Sequence, residues 1–166
     1  MKFTTHSIIF LSIFFGFCLD SLIATFQIKT YLSLLGNTPY LMQTCFGFLV
    51  FCYWVYAIPE RLRIFSALLY GLLIDLSFGD AVGFHMLFFG ISSYVIHVYA
   101  FRFRLFSYIQ LIIFFASAST FYLACEYLLF SPNNYSYFLL LSSFFINAII
   151  WLPIYFCMRF VRRKLL

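Results

Sequence analysis

The sequence predicts an all-α integral membrane protein: a bundle of six transmembrane helices forming one domain over residues 1–166. Three observations predict it. Hydrophobic residues make up 65% of the chain and charged residues 9%, whereas about a quarter of a soluble domain is charged. Apolar runs near the roughly 20 residues needed to cross hydrocarbon recur along the whole length. The few basic residues fall in short clusters between those runs, as cytoplasmic loops do.

The first span is expected at about residues 7–28. A weakly basic start precedes it, and the apolar run continues past Leu22 with no A-x-A site, so it reads as a retained span and not a cleaved leader. The second is expected at about residues 40–58, closed by Pro59. The run from Ile64 to Phe101 is too long for one helix. Divided at Gly79-Asp80-Ala81-Val82-Gly83 it gives a third and a fourth short helix, because glycine permits the backbone angles of a tight turn. The pair reads as a short helical hairpin, either crossing fully or re-entrant, and returns the chain to the side it left. The fifth span is expected at about residues 105–130, before Ser131-Pro132-Asn133-Asn134, and the sixth at about residues 137–158.

Charge sets the orientation. Lys2, Arg61, Arg63, Arg102, Arg104, Arg159, Arg162, Arg163 and Lys164 all fall on one side of a six-span chain, and only Lys29 on the other. Both termini are therefore expected in the cytoplasm. The net charge of +5 is explained by topology, so no nucleic-acid partner is implied. The basic tail from Arg159 to Lys164 is expected to touch anionic lipid. Cys18, Cys45, Cys52, Cys125 and Cys157 lie in apolar runs without a C-x-x-C pair and read as buried free thiols. The 26 Phe read as lipid-facing bulk. Tyr31, Tyr40, Tyr53, Trp54, Tyr99, Tyr135, Tyr137 and Trp151 lie near span ends, where such rings anchor at the interface.

Polar residues inside the spans are costly, so each needs a reason. Gly71, Asp75 and Gly79 are four apart and share one helix face. Ser12, Gly16 and Asp20 repeat the pattern in the first span, and the two faces could pack together. Small residues allow a close helix approach, and a carboxylate can then hydrogen-bond across it. Asp20, Asp75, Asp80 and Glu126 all fall in the outer half. Two readings compete: each acid satisfies a helix end, amide or hydroxyl inside the bundle, or Asp75 and Asp80 above all face a partner chain or form a polar pocket. His85 follows Asp80 by five, a spacing that does not define a metal site. His6 and His97 read as interfacial. Asn147 and Gln110 read as interhelical hydrogen-bonders. No nucleophile elbow, zinc-protease or phosphate-loop motif occurs. Neither a reaction nor a cofactor is expected.

Three segments carry a resemblance: Tyr53 to Ile64 (YWVYAIPERLRI), Gly71 to Leu87 (GLLIDLSFGDAVGFHML) and Asn147 to Arg163 (NAIIWLPIYFCMRFVRR). In order and spacing they resemble the MreD family of the bacterial rod-shape (elongasome) system, with the glycine–acid pattern running through Gly71, Asp75, Gly79 and Gly83. Phe78 stands where the family often has serine. The resemblance implies a non-enzymatic scaffold in the bacterial inner membrane. It implies an MreC-like partner and, beyond it, a RodA-type glycosyltransferase, a class B penicillin-binding transpeptidase and, indirectly, the MreB filament. Gly71, Asp75, Gly79, Asp80, Gly83 and His85 would then serve partner contact or packing. The family more distantly resembles the S component of energy-coupling-factor vitamin transporters. That implies an S-component-like bundle with an outward cavity, and an alternative role in capturing a small solute.

Overall fold

The computed structural model describes residues 2–34, 44–78, 82–130 and 137–165, where the regular structure is helical. Among them run seven helices: α1 (Lys2–Leu34), α2 (Phe46–Ala57), α3 (Ile64–Phe78), α4 (Phe84–Val98), α5 (Ala100–Leu105), α6 (Tyr108–Phe130) and α7 (Tyr137–Leu165). Three hold stretches long and apolar enough to cross a membrane: Thr5–Ala24, Tyr108–Phe130 and Tyr137–Lys164. Helices α2, α3 and α4 are apolar but have 12, 15 and 15 residues. At 1.5 Å per residue they reach about 18–22 Å, short of a hydrocarbon core of about 30 Å.

Helix α2 is the core. Every residue from Gly47 to Val55 is buried, so the other helices enclose it on all sides. Phe51 stacks on Phe89 of α4 at 3.8 Å and Phe48 on Tyr122 of α6 at 4.8 Å, while Phe115 of α6 stacks on Trp151 of α7 at 4.2 Å. Phenylalanine is therefore not only lipid-facing bulk: Phe15, Phe65, Phe101 and Phe138 are exposed, but Phe48, Phe51, Phe89, Phe103 and Phe115 are core. Tyr53, Trp54 and Trp151 are likewise buried and are not interfacial anchors. The Trp54 indole donates to Ser12 Oγ of α1 at 2.7 Å, which satisfies its N–H without water. Among the cysteines, Cys45 and Cys52 are buried as expected, but Cys157 is exposed.

Helix α3 and helix α4 form the expected hairpin, and Gly71 sets its spacing. A Cβ there would strike Met86 Cα and the His85 carbonyl. Gly16 plays the same part between α1 and α2, where a Cβ would lie 2.8 Å from Gly47 Cα. The two glycine faces thus pack on different helices and not on each other. Gln110 is not an interhelical bridge. It accepts from Ser107 N–H at 2.9 Å while its own N–H lies 3.4 Å from Ser107 Oγ, a capping box at the start of α6.

Some boundaries differ from the sequence expectation. Helix α2 begins at Phe46, after non-helical Thr44 and Cys45, because a carboxylate of α1 fixes its first turn there. The expected span end at Phe101 gives way to an α4 that stops at Val98 and a separate α5. Helix α7 runs past Met158 through the basic tail to Leu165. Arg and Lys are good helix formers, and their charge suits a helix C-terminus.

The bundle has two chemically distinct ends. At one, Arg61 donates to Thr5 Oγ1, Arg162 donates to the Ala57 carbonyl at 3.2 Å, and His97 Nε2 lies 2.8 Å from the Pro59 carbonyl. These bonds tie α1, α2, α4 and α7 together at the basic end. At the other end α2 and α4 begin, and the intramembrane acids gather.

Candidate functional site

Helices α2 and α4 start inside the protein. The first N–H groups of a helix have no intrahelical acceptor, and hydrocarbon supplies none. Neither helix caps itself: Cys45 before α2 and Gly83 before α4 make no side-chain capping bond. In each case an acid from the preceding helix does so.

For α2 the acid is Asp20 of α1. Its Oδ1 accepts from Phe46 N–H at 2.9 Å and Thr44 Oγ1 at 3.0 Å, and its Oδ2 from Gly47 N–H at 2.9 Å. For α4 it is Asp75 of α3, only 2% exposed. Its Oδ2 accepts from Gly83 N–H at 2.9 Å and Met86 N–H at 3.0 Å. Its Oδ1 accepts from His85 N–H at 2.9 Å and His85 Nδ1–H at 2.7 Å. Negative charge at a helix N-terminus also meets the positive end of the helix dipole. Gly83 makes this turn possible, with a φ of 108° in the left-handed region that glycine enters freely.

The His85 ring carries the network onward. With Nδ1 donating to Asp75, Nε2 accepts from the Tyr122 hydroxyl of α6 at 2.9 Å. Phe17 of α1 packs edge-on to the same ring at 5.1 Å. A carboxylate–imidazole–phenol line therefore links α3, α4 and α6. It ends at a cavity of about 200 Å³ lined by Asp20, Thr44, Cys45, His85, Tyr122 and Glu126, with Phe17, Phe48 and Phe78 as apolar walls. Behind it, Asn147 Oδ1 of α7 accepts from Cys45 N–H at 3.2 Å, the interhelical role expected of it. Among the described residues no three His, Cys, Asp or Glu side chains stand together as metal ligands.

The structure thus brings together Asp20, Asp75, Gly83, His85, Glu126 and Asn147 at one end. Gly79 and Asp80 lie outside the described residues, as does the side chain of Arg104. Arg61, Arg63, Arg102, Arg159, Arg162, Arg163 and Lys164 stand at the opposite end. Arg63, Arg163 and Lys164 are exposed. Arg102 lies over the Tyr99 ring at 5.7 Å, and Lys164 over Phe160 at 4.6 Å. Tyr122 and Thr44 were not singled out from sequence. Tyr122 precedes Glu126 by one helical turn, a signal available in the sequence, whereas nothing local marks Thr44 as a partner of Asp20.

Chemically, Asp20 and Asp75 are engaged in holding backbone N–H groups, and the His85–Tyr122 pair orients one phenol at the cavity rim. A family model described as rod shape-determining protein MreD matches residues 1–161. No curated protein and no solved structure matches the chain.

Proposed function

The chain belongs to the MreD family of rod shape-determining proteins, and from that premise we propose that it is a membrane scaffold of the wall-elongation machinery without chemistry of its own. In this reading it joins an MreC-like protein to a RodA-type glycosyltransferase and a class B penicillin-binding transpeptidase, and through them to lateral peptidoglycan growth. The MreB filament is reached indirectly. The observation that carries the scaffold reading is the use of Asp20 and Asp75: each carboxylate is taken up by helix-start N–H groups, which serves architecture.

We further infer a single multi-pass domain in the bacterial inner membrane, with six crossings and both termini cytoplasmic. Supporting this is the separation of acid-rich and base-rich ends, between which run three helices long and apolar enough to cross and three shorter apolar ones. The exposed apolar faces of α3 and α4, which include Leu69, Leu73, Leu76, Leu87 and Ile91, offer the partner a surface in the membrane. Depletion should give rounded cells with reduced lateral wall labelling, and mild-detergent purification should recover an MreC-like chain. Unchanged cell width with no such chain would reject the scaffold.

One observation favours a second reading. The cavity bordered by Asp20, His85, Tyr122 and Glu126 opens at the end expected to face outward, as an S-component-like solute binder would require. Uptake loss for one vitamin on depletion, with shape unchanged, would select it.

A further inference from the structure

At the basic end, a second polar cavity of about 180 Å³ lies between α2 and α7, lined by Tyr53, Tyr56, Ala57, Tyr155 and Arg162. Tyr53 is 1% exposed yet borders this space. Among the described residues, Tyr53 and Tyr155 make ring contacts with each other and with neighbours, but their hydroxyls have no hydrogen-bond partner. Arg162 uses one N–H on the Ala57 carbonyl at 3.2 Å, which leaves the rest of its five-donor fork for another acceptor. No acid is among the lining residues, and Arg159 precedes Arg162 by one turn on α7. The pocket therefore offers positive charge and unused O–H donors, with no acidic side chain in its lining.

Its position supplies the class of ligand. It sits where the apolar part of α7 passes into the basic tail, the level at which lipid headgroups lie. We propose that this pocket binds the phosphate of an anionic phospholipid, with Arg162 providing charge and the Tyr53 and Tyr155 hydroxyls donating to phosphate oxygens. Guanidinium matches phosphate geometry, and tyrosine hydroxyls add direction that a diffuse basic tail lacks. The inference rests on the chain lying in a membrane and is independent of the scaffold role.

The test is native mass spectrometry of the full chain in mild detergent, titrated with phosphatidylglycerol, with phosphatidylcholine and with inorganic phosphate. The wild type should retain phosphatidylglycerol over phosphatidylcholine. The double variant Tyr53→Phe/Tyr155→Phe keeps both rings and loses only the hydroxyls. It should melt like the wild type and bind phosphatidylglycerol roughly tenfold more weakly or worse, because hydrogen bonds to a charged group are lost. Arg163→Gln, on an exposed residue of the same helix, should have little effect. Undiminished binding by the double variant would overturn the proposal, as would an equal loss in Arg163→Gln, which would mean only diffuse surface charge. Displacement of the lipid by millimolar inorganic phosphate would identify a free-anion site and overturn the lipid assignment.

Discussion

Asp75 receives four hydrogen bonds, two on each oxygen. Asp75→Asn replaces one oxygen by an NH2 group, which then faces N–H donors. Each buried donor left without an acceptor costs about 1–3 kcal/mol, so Asn should lose about 2 kcal/mol or more and Leu should lose more still. Thermal unfolding in mild detergent measures this, and a wild-type melting temperature for Asp75→Asn would reject the capping role. Tyr122→Phe removes a single bond to His85 and should cost only about 1 kcal/mol in the same assay. At this scale the sequence marked Asp20 and Asp75, because a carboxylate among apolar residues needs a reason. It did not reveal their partners. Thr44 and Phe46 are 24 and 26 residues from Asp20, and only tertiary packing brings them to it.

Two glycines of the hairpin constrain it differently. Gly71 lies where any Cβ would meet the backbone of α4, while Gly83 has open space but a φ of 108°. Gly71→Val must push α3 and α4 apart, and should destabilise by several times as much as Gly83→Ala, whose cost is backbone strain of about 1–2 kcal/mol. Melting of the two variants checks the order; equal losses would refute the close approach. The division of the long apolar run between Phe78 and Phe84 was readable because glycine is a strong local signal. The start of α2 was not, since its cap comes from another helix. The extension of α7 to Leu165 was missed for a different reason: hydropathy ends at the membrane edge, whereas helix propensity does not.

Among the described residues, the two ends of the bundle differ in charge. Arg61, Arg162 and His97 tie the basic end together through Thr5, Ala57 and Pro59, and Asp20, Asp75 and Glu126 stand at the opposite one. Reporter fusions at Asn133 and after Leu166 should therefore report opposite sides of the membrane; the same side for both would reject the six-span topology. The overall class, the helix order and the polarity of the ends were legible because composition and basic clusters are global signals. The centrality of α2 was not, because an apolar helix buried in protein and one facing lipid look alike in sequence. The two borrowed caps also bear on how the chain is made. Asp20 leaves the ribosome before Phe46, and Asp75 before Gly83, so each acceptor is already synthesised when the helix that needs it emerges. Biosynthesis from the N-terminus thus never requires an uncapped α2 or α4 to wait in the bilayer for its partner. A chain begun after α1 would lack that provision, and should be cleared by membrane proteases faster than one truncated after α4.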